Sequence, residues 1–226
     1  QQVDAIVIAP ADSKALVPVC KRAMDAGVVV VNIDNKFDDE VLRAKGIRIP
    51  FVGPDNRKGA YAVGMRVAKE LAQGDPVAIV GGVPGAFNAI ERNRGFEDAM
   101  NEAGMEIVLS QPGNWEIAKA NSVVSAMVTE RPDLKAVLCA NDSMALGAVA
   151  ALRSAGKLDS VAVAGFDNIS AVRELVKAGD ILATADQHGD KLAAYGIEYA
   201  LEMLEDASAP EDRETPVDLV TRADLK

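Results

Sequence analysis

Short apolar runs alternate with segments of helical periodicity along the 226-residue chain. We expect the runs to form strands at Ala5–Ile8, Val28–Ile33, Phe51–Gly53, Val77–Val80, Ile107–Ser110, Ala136–Ala140, Val161–Phe166 and Ile181–Ala185. Such alternation predicts the α/β class, with parallel sheet and crossover helices. After the polar connection Glu205–Glu214, a last strand is expected around Val217–Val220.

Capping residues and glycines predict where the intervening helices begin and end. Helices are expected from Asp12 or Ser13 to Gly27, from Asn88 to Gly104, and from Asp142, as the cap, to Gly156. Pro18 lies near the second turn of the first helix, where a proline kinks the helix or delays its start. The stretch Lys36–Ile49 is long for a connection and is expected to form a surface excursion with one helical turn.

Composition and charge narrow the class of protein. Apolar residues make up 49% of the chain and charged residues 26%, which is typical of a globular protein. The net charge is −10 and the basic residues are scattered, so no nucleic-acid partner is expected. No apolar stretch approaches the roughly 20 residues that span a bilayer. Cys20 and Cys139 lie among apolar neighbours, which favours two buried thiols over a disulfide.

A carboxylate stands next to a carboxamide at several predicted strand ends. These pairs are Asp34–Asn35, Asp55–Asn56, Asn141–Asp142, Asp167–Asn168 and Asp186–Gln187. Helix capping explains one polar residue at each junction, so the second is free to face the crevice at the carboxyl ends of the strands. Because fixed acceptors with few cations suit a neutral ligand dense in hydroxyl groups, the pattern indicates a sugar or polyol.

Aromatic residues and one arginine offer further contacts to such a ligand. Trp115, Phe166 and Phe87 lie at predicted loop or strand-end positions, where either sugar stacking or ordinary core packing explains them. Arg92 lies inside a predicted helix, where it either faces the crevice or pairs at the surface with Glu91 or Asp98.

The residues that catalysis would need are scarce. His188 is the only histidine, there is no G-x-S-x-G motif, and no Cys/His cluster has metal-ligand spacing. The glycine turn that opens Gly81–Phe96 raises a nucleotide-binding alternative, but it lacks both the G-x-G-x-x-G order and a P-loop. We therefore expect no catalytic residue, no metal and no cofactor.

Several segments together carry a family resemblance: AIVIAPADSKAL, NID, GPDN, ERNRGF, SQPGNW, CANDSMALGAVAAL, VAGFDN, ATADQ and TPVDLVT. From Val3 to Leu225 the chain resembles the type I periplasmic binding proteins of the ribose-binding cluster. The resemblance implies two Rossmann-like lobes with parallel sheets, joined by three crossings, and a small neutral sugar or polyol held between them. It also implies a periplasmic monomer that delivers the ligand to a membrane ABC permease complex.

Two alternatives to a transport protein stay open. The sugar-responsive domain of lactose-repressor-type regulators has the same core, although SQPGNW and TPVDLVT favour the transport proteins. An α/β enzyme that acts on a phosphorylated sugar or a nucleotide is the less favoured alternative.

The resemblance also assigns ligand-binding roles, residue by residue. In the first lobe, Asp34 accepts from sugar hydroxyls. In the second lobe and at a crossing, the implied contacts are Arg92 as a donor to a hydroxyl or ring oxygen, Trp115 and Phe166 as plates on the sugar ring, Asn141 and Asp167 as partners of hydroxyls, and Gln187. The family's ribose pattern has Asn and Arg where this chain has Ala9 and Asn35. These departures leave another pentose, a hexose or a smaller sugar alcohol open.

The resemblance predicts the boundaries of the lobes as well. Residues 1–54 with 188–215 would form the first lobe and residues 55–187 with 216–226 the second, with hinge crossings near 54, 187 and 216. The family begins with two βα units, roughly 60 residues, that have no counterpart here. The first lobe is therefore expected to be incomplete, with an exposed sheet edge and unburied helix faces.

Overall fold

The computed structural model describes residues 3–206 and 211–225. Its strands are β1 (Ala5–Ile8), β2 (Val29–Ile33), β3 (Phe51–Pro54), β4 (Pro76–Gly81), β5 (Glu106–Pro112), β6 (Ala136–Cys139), β7 (Ala162–Ala164), β8 (Ala183–Asp186), β9 (Arg213–Thr215) and β10 (Asp218–Thr221). Its helices are α1 (Val17–Asp25), α2 (Asp39–Ala44), α3 (Asn56–Ala68), α4 (Phe87–Glu102), α5 (Ile117–Glu130), α6 (Asp142–Ser154), α7 (Ser170–Ala178) and α8 (Gly189–Glu205), with a 3₁₀ turn at Arg222–Asp224. The predicted alternation of strands and helices is confirmed.

The chain divides into two compact units. Unit 1 contains Gln1–Asp55, Gly85–Asn88 and His188–Pro216, and unit 2 contains Asn56–Pro84, Ala89–Gln187 and Val217–Lys226. The short segment 85–88 therefore groups with unit 1, although β4 before it and most of α4 after it belong to unit 2.

Unit 1 is built on a four-stranded parallel sheet in the order β1-β2-β3-β9. Adjacent residues of β2 point to opposite faces: Val30 packs with Val17 of α1, while Val31 packs with Tyr199 of α8. At the edge of the sheet lies β1, and α8 exposes a stripe of Ile197, Leu201 and Leu204.

The polar connection predicted at Glu205–Glu214 is partly wrong, because β9 begins within it. Residues 207–210 of that connection lie outside the described part of the chain. Arg213 pairs in register with Val52 of β3, and the Asp212 carboxylate accepts a hydrogen bond from the Phe51 N–H at 3.0 Å. Asp212 also lies 2.8 Å from the Lys36 ammonium. Pairing with a distant strand, and not an apolar pattern of its own, makes this segment a strand.

Two expectations about the helices of unit 1 are refined. Pro18 stands in the first turn of α1, and the helix starts only at Val17, so the proline delays the helix as predicted. Asp12 caps the preceding turn, where its carboxylate accepts from the Lys14 and Ala15 N–H groups at 2.7 Å. The excursion at 36–49 does contain one short helix, but it is not merely a surface feature, because it buries Phe37 and Leu42 in the core.

Unit 2 is built on a six-stranded sheet in the order β10-β8-β7-β6-β4-β5. All its strands are parallel except β10, which runs antiparallel to β8. The central strands β4 and β6 are buried along nearly their whole length, as a parallel sheet covered on both faces requires. Cys20 in unit 1 and Cys139 in unit 2 are free and buried, which confirms the prediction of two buried thiols. In the described part of the chain, no helix combines the length and apolar character needed to span a bilayer.

Candidate functional site

Most of the predicted ligand-binding residues of unit 2 follow its strands at the carboxyl edge of the sheet. Asn141 stands two residues after the end of β6, Asp167 follows β7, and Gln187 directly follows β8. These three strands are neighbours and parallel, so their ends meet at one edge. Arg92 reaches the same edge from α4.

Arg92 hydrogen-bonds to several residues at this edge, and only 3% of its surface is exposed. Its Nε donates to the Asn56 side-chain oxygen at 2.8 Å, and its Nη1 donates to the Ala140 carbonyl at 2.9 Å and to Asp167 at 3.2 Å. Its Nη2 donates to the Gln187 side-chain oxygen at 3.2 Å. A guanidinium has five N–H groups, so one N–H on Nη2 has no partner among the described residues.

The surface ion pairs considered for Arg92 are not formed. The Glu91 carboxylate is 2.6 Å from Arg94, and the Asp98 carboxylate is 2.6 Å from Arg57. The ion pair that Arg92 makes instead, with Asp167, is largely shielded from water, since the two side chains are 3% and 22% exposed. Taking a cation out of water in this way is costly unless the surrounding groups satisfy it.

Two aromatic rings flank the guanidinium of Arg92. Its Cζ lies 3.8 Å from the centre of the Phe166 ring and 5.7 Å from the centre of the Trp115 ring, both within the range of cation–π contact. Phe166 has no exposed surface, whereas Trp115 is half-buried. The contact predicted between Phe166 and a ligand stays a prediction. Phe87, by contrast, groups with unit 1, where its ring packs edge-on against Phe51 at 6.5 Å.

Left-handed backbone conformations concentrate at these strand exits. Among the described non-glycine residues, positive φ occurs at Asp34, Asn114, Trp115, Asp167, Asn168 and His188. Each of them is either a predicted ligand-binding residue or its neighbour in sequence. Such conformations are unfavourable for side-chain-bearing residues and cluster where a binding site fixes the backbone. Strained backbone thus occurs at or next to several of the predicted ligand-binding residues, and their contact with a ligand stays a prediction.

The Trp115 ring is seated against the backbone at the end of β4. A Cβ atom added to Gly82 would lie 2.1 Å from the ring atom Cη2 of Trp115, so only glycine allows this approach. Because Gly82 has no side chain, the ring of the only tryptophan in the chain packs directly against the backbone at this point.

The junction after β6 corrects one prediction. Asn141, and not Asp142, caps α6: its side-chain oxygen accepts from the Met144 N–H at 2.9 Å. Asp142 is fully buried and turned away from its own helix, with hydrogen bonds from the Thr184 hydroxyl at 2.8 Å and the Ile169 N–H at 2.9 Å. Burial raises the pKa of Asp142 to about 7, and this effect outweighs those two hydrogen bonds. The second polar side chain at this junction, that of Asp142, is therefore buried and does not line the carboxyl edge of the sheet.

The two polar residues after β2 differ in their surroundings. Asp34 is half-buried with φ 61°, and its carboxylate accepts no hydrogen bond from the described residues. Asn35 is only 4% exposed, and its side chain donates to the Pro10 carbonyl at 2.8 Å and accepts from the Asn88 N–H at 3.2 Å. Asn35 thus bonds to the backbone of unit 1, while Asp38 caps α2. The contact between Asp34 and a ligand stays a prediction.

Sequence reasoning assigned no role to four polar residues that hydrogen-bond at this edge of the sheet. Asn56 is 2% exposed and receives the Nε–H of Arg92, and Thr184 is fully buried and bonded to Asp142. The Asn168 amide donates to Asp186 at 2.9 Å. Asn56, Asn168 and Asp186 belong to the polar pairs noted at the strand ends, so their positions carried a signal. Thr184 lies inside an apolar run and carried none.

Residues 3–206 and 211–225 contain no group of three or more His, Cys, Asp or Glu side chains arranged to hold a metal ion. Most polar side chains at this edge of unit 2 pair with one another or with the backbone through hydrogen bonds, whereas one N–H of Arg92 and the buried Oδ1 of Asn168 have no partner among the described residues. Their arrangement resembles a recognition surface, with fixed donors, fixed acceptors and a partly exposed aromatic ring.

Comparisons with known proteins identify the family of this chain. A model of the periplasmic binding protein domain matches residues 1–208. The D-ribose/D-allose-binding protein of Pseudomonas aeruginosa is 59% identical over 223 residues, which are 97% of this chain and 70% of that protein. The chain belongs to the periplasmic binding protein family.

Solved structures of the family agree closely with the fold. An ABC transporter solute-binding protein from Burkholderia multivorans, with an unknown ligand, is 57% identical, has a TM-score of 0.95 and is matched over 97% of this chain and 78% of its own. One from Actinobacillus succinogenes with bound D-allose is 34% identical, has a TM-score of 0.94 and is matched over 99% of this chain and 78% of its own. The predicted type I fold is confirmed.

Membership of this family also decides between the functional alternatives. This periplasmic binding protein is a sugar-binding component of an ABC importer, located in the periplasm, and it is not an enzyme. The repressor domain and the enzyme on a phosphorylated substrate are thereby set aside.

Proposed function

We propose that the ligand is a neutral aldose of five or six carbons, of the D-ribose or D-allose type. The names of the relatives from Pseudomonas aeruginosa and Actinobacillus succinogenes support this choice. The charge of the cluster in unit 2 supports it too. Arg92 already shares its positive charge with Asp167, so little is left to attract a phosphate, and the remaining groups suit hydroxyls.

The observation that carries the proposal is the nearly buried guanidinium of Arg92, which keeps one N–H without a partner among the described residues. Four of its N–H groups are held by Asn56, Ala140, Asp167 and Gln187, so the direction of the fifth is fixed. A donor that is held in place before the ligand arrives loses little conformational entropy on binding. It therefore donates to a sugar hydroxyl or to the ring oxygen.

The other predicted residues complete the contacts that a sugar needs. Asp167 accepts from a hydroxyl, and Gln187 donates through its amide. Asn141 spends its side-chain oxygen on capping α6, so its amide N–H groups are what it offers to a ligand. Trp115, which is half-buried, supplies an apolar face for the C–H side of the sugar ring, while Phe166 supports the Arg92 guanidinium from the core. Asp34 offers a further acceptor in this proposal.

We further propose that the three crossings near residues 54, 187 and 216 act as hinges. The chain passes between its units at Asp55–Asn56, Gln187–His188 and Pro216–Val217, and also around the segment 85–88. Hinge closure about a few such residues is a common response to a ligand that contacts both halves of a protein. In this proposal the ligand-bound monomer is the form that the ABC permease complex recognises.

Calorimetric titration with D-ribose, D-allose and ribose 5-phosphate tests the ligand. Binding of either neutral sugar, but not of the phosphate ester, is expected, and it should also change the emission of the single tryptophan, Trp115. In Arg92→Lys a compact ammonium replaces the fork of donors, so affinity should fall by roughly 30-fold or more, as for a buried charged hydrogen bond. The matched control is Arg94→Lys, two residues along α4 at an exposed position.

Preference for the phosphate ester, or equal affinity in wild type and Arg92→Lys, would contradict the proposal. So would a flat response to both neutral sugars.

A further inference from the structure

Asp142 connects three separate segments of unit 2 from a fully buried position. Its backbone N–H donates to the Phe166 carbonyl at 2.7 Å, and one carboxylate oxygen accepts from the Ile169 N–H at 2.9 Å. The other oxygen accepts from the Thr184 hydroxyl at 2.8 Å. The first two bonds hold the loop between β7 and α7 near both of its ends. The third bond connects Asp142 to β8.

That loop carries Asp167, and its backbone is unfavourable without support. Asp167 has φ 113° and Asn168 has φ 55°, so two consecutive residues with side chains adopt left-handed conformations. The Thr184 hydroxyl supports the second of them, because it also accepts from the Asn168 N–H at 3.3 Å. One hydroxyl thus links the carboxylate of Asp142 to the strained part of the loop.

The sequence makes room for this carboxylate at one position. A Cβ atom on Gly165 would lie 2.1 Å from Oδ1 of Asp142. The φ of Gly165 is not in the left-handed region, so clearance for the carboxylate, and not backbone freedom, explains the glycine.

We propose that Asp142 is a positioning residue for sugar binding, which fixes the loop so that Asp167 meets both Arg92 and the ligand. Asp142 has no exposed surface and so contacts no ligand itself. Its effect passes through Asp167, which accepts from Arg92 at 3.2 Å and from the Gln187 amide at 2.8 Å. The inference rests on the function proposed above and adds a residue to it.

The ionised form of Asp142 is the one that fits these contacts. Both carboxylate oxygens accept hydrogen bonds: a proton on Oδ2 would place two donors against each other at the Ile169 N–H, and a proton on Oδ1 would require the Thr184 hydroxyl to change from donor to acceptor. The charged or titratable groups that act on it are Asp167 from the loop, Arg92 from α4 and Cys139 from β6. Sugar affinity should therefore be weaker at pH 6 than at pH 8.

The experiment measures Kd and Tm for wild type and four variants at both pH values, with D-allose and D-ribose as probes. Asp142→Asn keeps an acceptor for Thr184 but turns an amide donor toward the Ile169 N–H. Its affinity at pH 8 should fall about tenfold, and its pH dependence should flatten. Thr184→Val should weaken binding similarly, whereas Thr184→Ser, which keeps the hydroxyl, should restore it.

The matched control is Asp75→Asn, at the opposite edge of the same unit. Asp75 also accepts a backbone hydrogen bond, from the Ala72 N–H at 2.8 Å, and lies at the amino end of β4. It should lower Tm without changing Kd or its pH profile, so a general loss of stability is separated from a loss of positioning.

Wild-type affinity together with a wild-type pH profile in Asp142→Asn would overturn the inference. If that variant does not fold, the comparison of Thr184→Val with Thr184→Ser decides, and equal affinity in the two would also overturn it. A wild-type protein that binds neither sugar at either pH contradicts the proposed function itself, and this inference with it.

Discussion

The guanidinium of Arg92 lies over the ring of Phe166, with Cζ 3.8 Å from the ring centre. The ring is fully buried, so the cation that it supports sits directly on the core of unit 2. A buried arginine is stable only when its hydrogen bonds and its packing are both satisfied, and here Phe166 supplies the packing.

Replacement of Phe166 by alanine should therefore affect both stability and binding. Loss of a fully buried phenylalanine costs about 3–5 kcal/mol of unfolding free energy, and Arg92 loses the surface on which it rests. Phe37→Ala is the control, because Phe37 is similarly buried but lies in a core cluster of unit 1 that does not contain Arg92. Urea unfolding should show similar losses for the two variants, while calorimetry should show weaker sugar binding only for Phe166→Ala. Equal affinities would mean that the stacking does not position Arg92.

Gly82→Ala should displace the Trp115 ring, because the new methyl group would overlap its Cη2 atom. Sugar affinity is expected to fall about tenfold, as for loss of an aromatic contact. The emission of Trp115 in the unliganded protein should change as well. Gly189→Ala, where an added Cβ meets nothing within 4 Å, should leave both unchanged. An unaltered spectrum in Gly82→Ala would contradict the close approach.

Asn141 combines a structural role with a proposed binding role, and two substitutions separate them. Asn141→Asp keeps the oxygen that caps α6 and adds a negative charge at the helix N-terminus, so stability should be maintained. It removes the amide donors, so affinity should fall. Asn141→Ala loses the cap too and should cost about 1 kcal/mol of unfolding free energy in addition. If Asn141→Asp binds sugar like the wild type, the amide donors are not used.

The raised pKa of Asp142 makes the stability of the protein depend on pH. In the unfolded chain this carboxyl titrates near 3.8, and in the folded protein near 7, so the folded state holds the extra proton between those values. Its contribution to stability is full below pH 3.8 and is lost as pH rises to about 7, with a slope of at most about 1.4 kcal/mol per pH unit. Unfolding free energies measured from pH 5 to 8 should fall less steeply for Asp142→Asn than for wild type.

Asp98→Asn is the control for that experiment. The hydrogen bond from Arg57 holds the pKa of Asp98 below its usual range, so this carboxyl stays ionised in both states between pH 5 and 8. Its replacement should leave the slope unchanged. A slope that is identical in wild type and Asp142→Asn would show that Asp142 is not the group responsible.

Much of the sheet could be predicted from sequence because parallel strands buried on both faces appear as continuous apolar runs. The inward position of Arg92 could also be predicted, from the spacing of residues along α4. It shares the inner face of α4 with Ala89, Phe96 and Ala99, at the spacing of one helical face, and all four are buried. The polar pairs at the strand ends indicated the edge where this cluster lies.

The remaining features depend on contacts that no local pattern records. The strand β9 contains Arg213, Glu214 and Thr215, and only its pairing with β3 makes it a strand. Neighbours in sequence could not show which of Asn141 and Asp142 caps α6. That choice depends on the space left by Gly165, far along the chain.

The clearance between Gly165 and Asp142 also couples the effects of replacing these two residues. Any side chain longer than hydrogen at 165 would overlap the carboxylate of Asp142, so the effects of changes at the two positions are not additive. A double replacement that also shortens residue 142 should relieve the overlap and recover stability, but it also removes the acceptor of the Ile169 N–H, so sugar affinity should stay low.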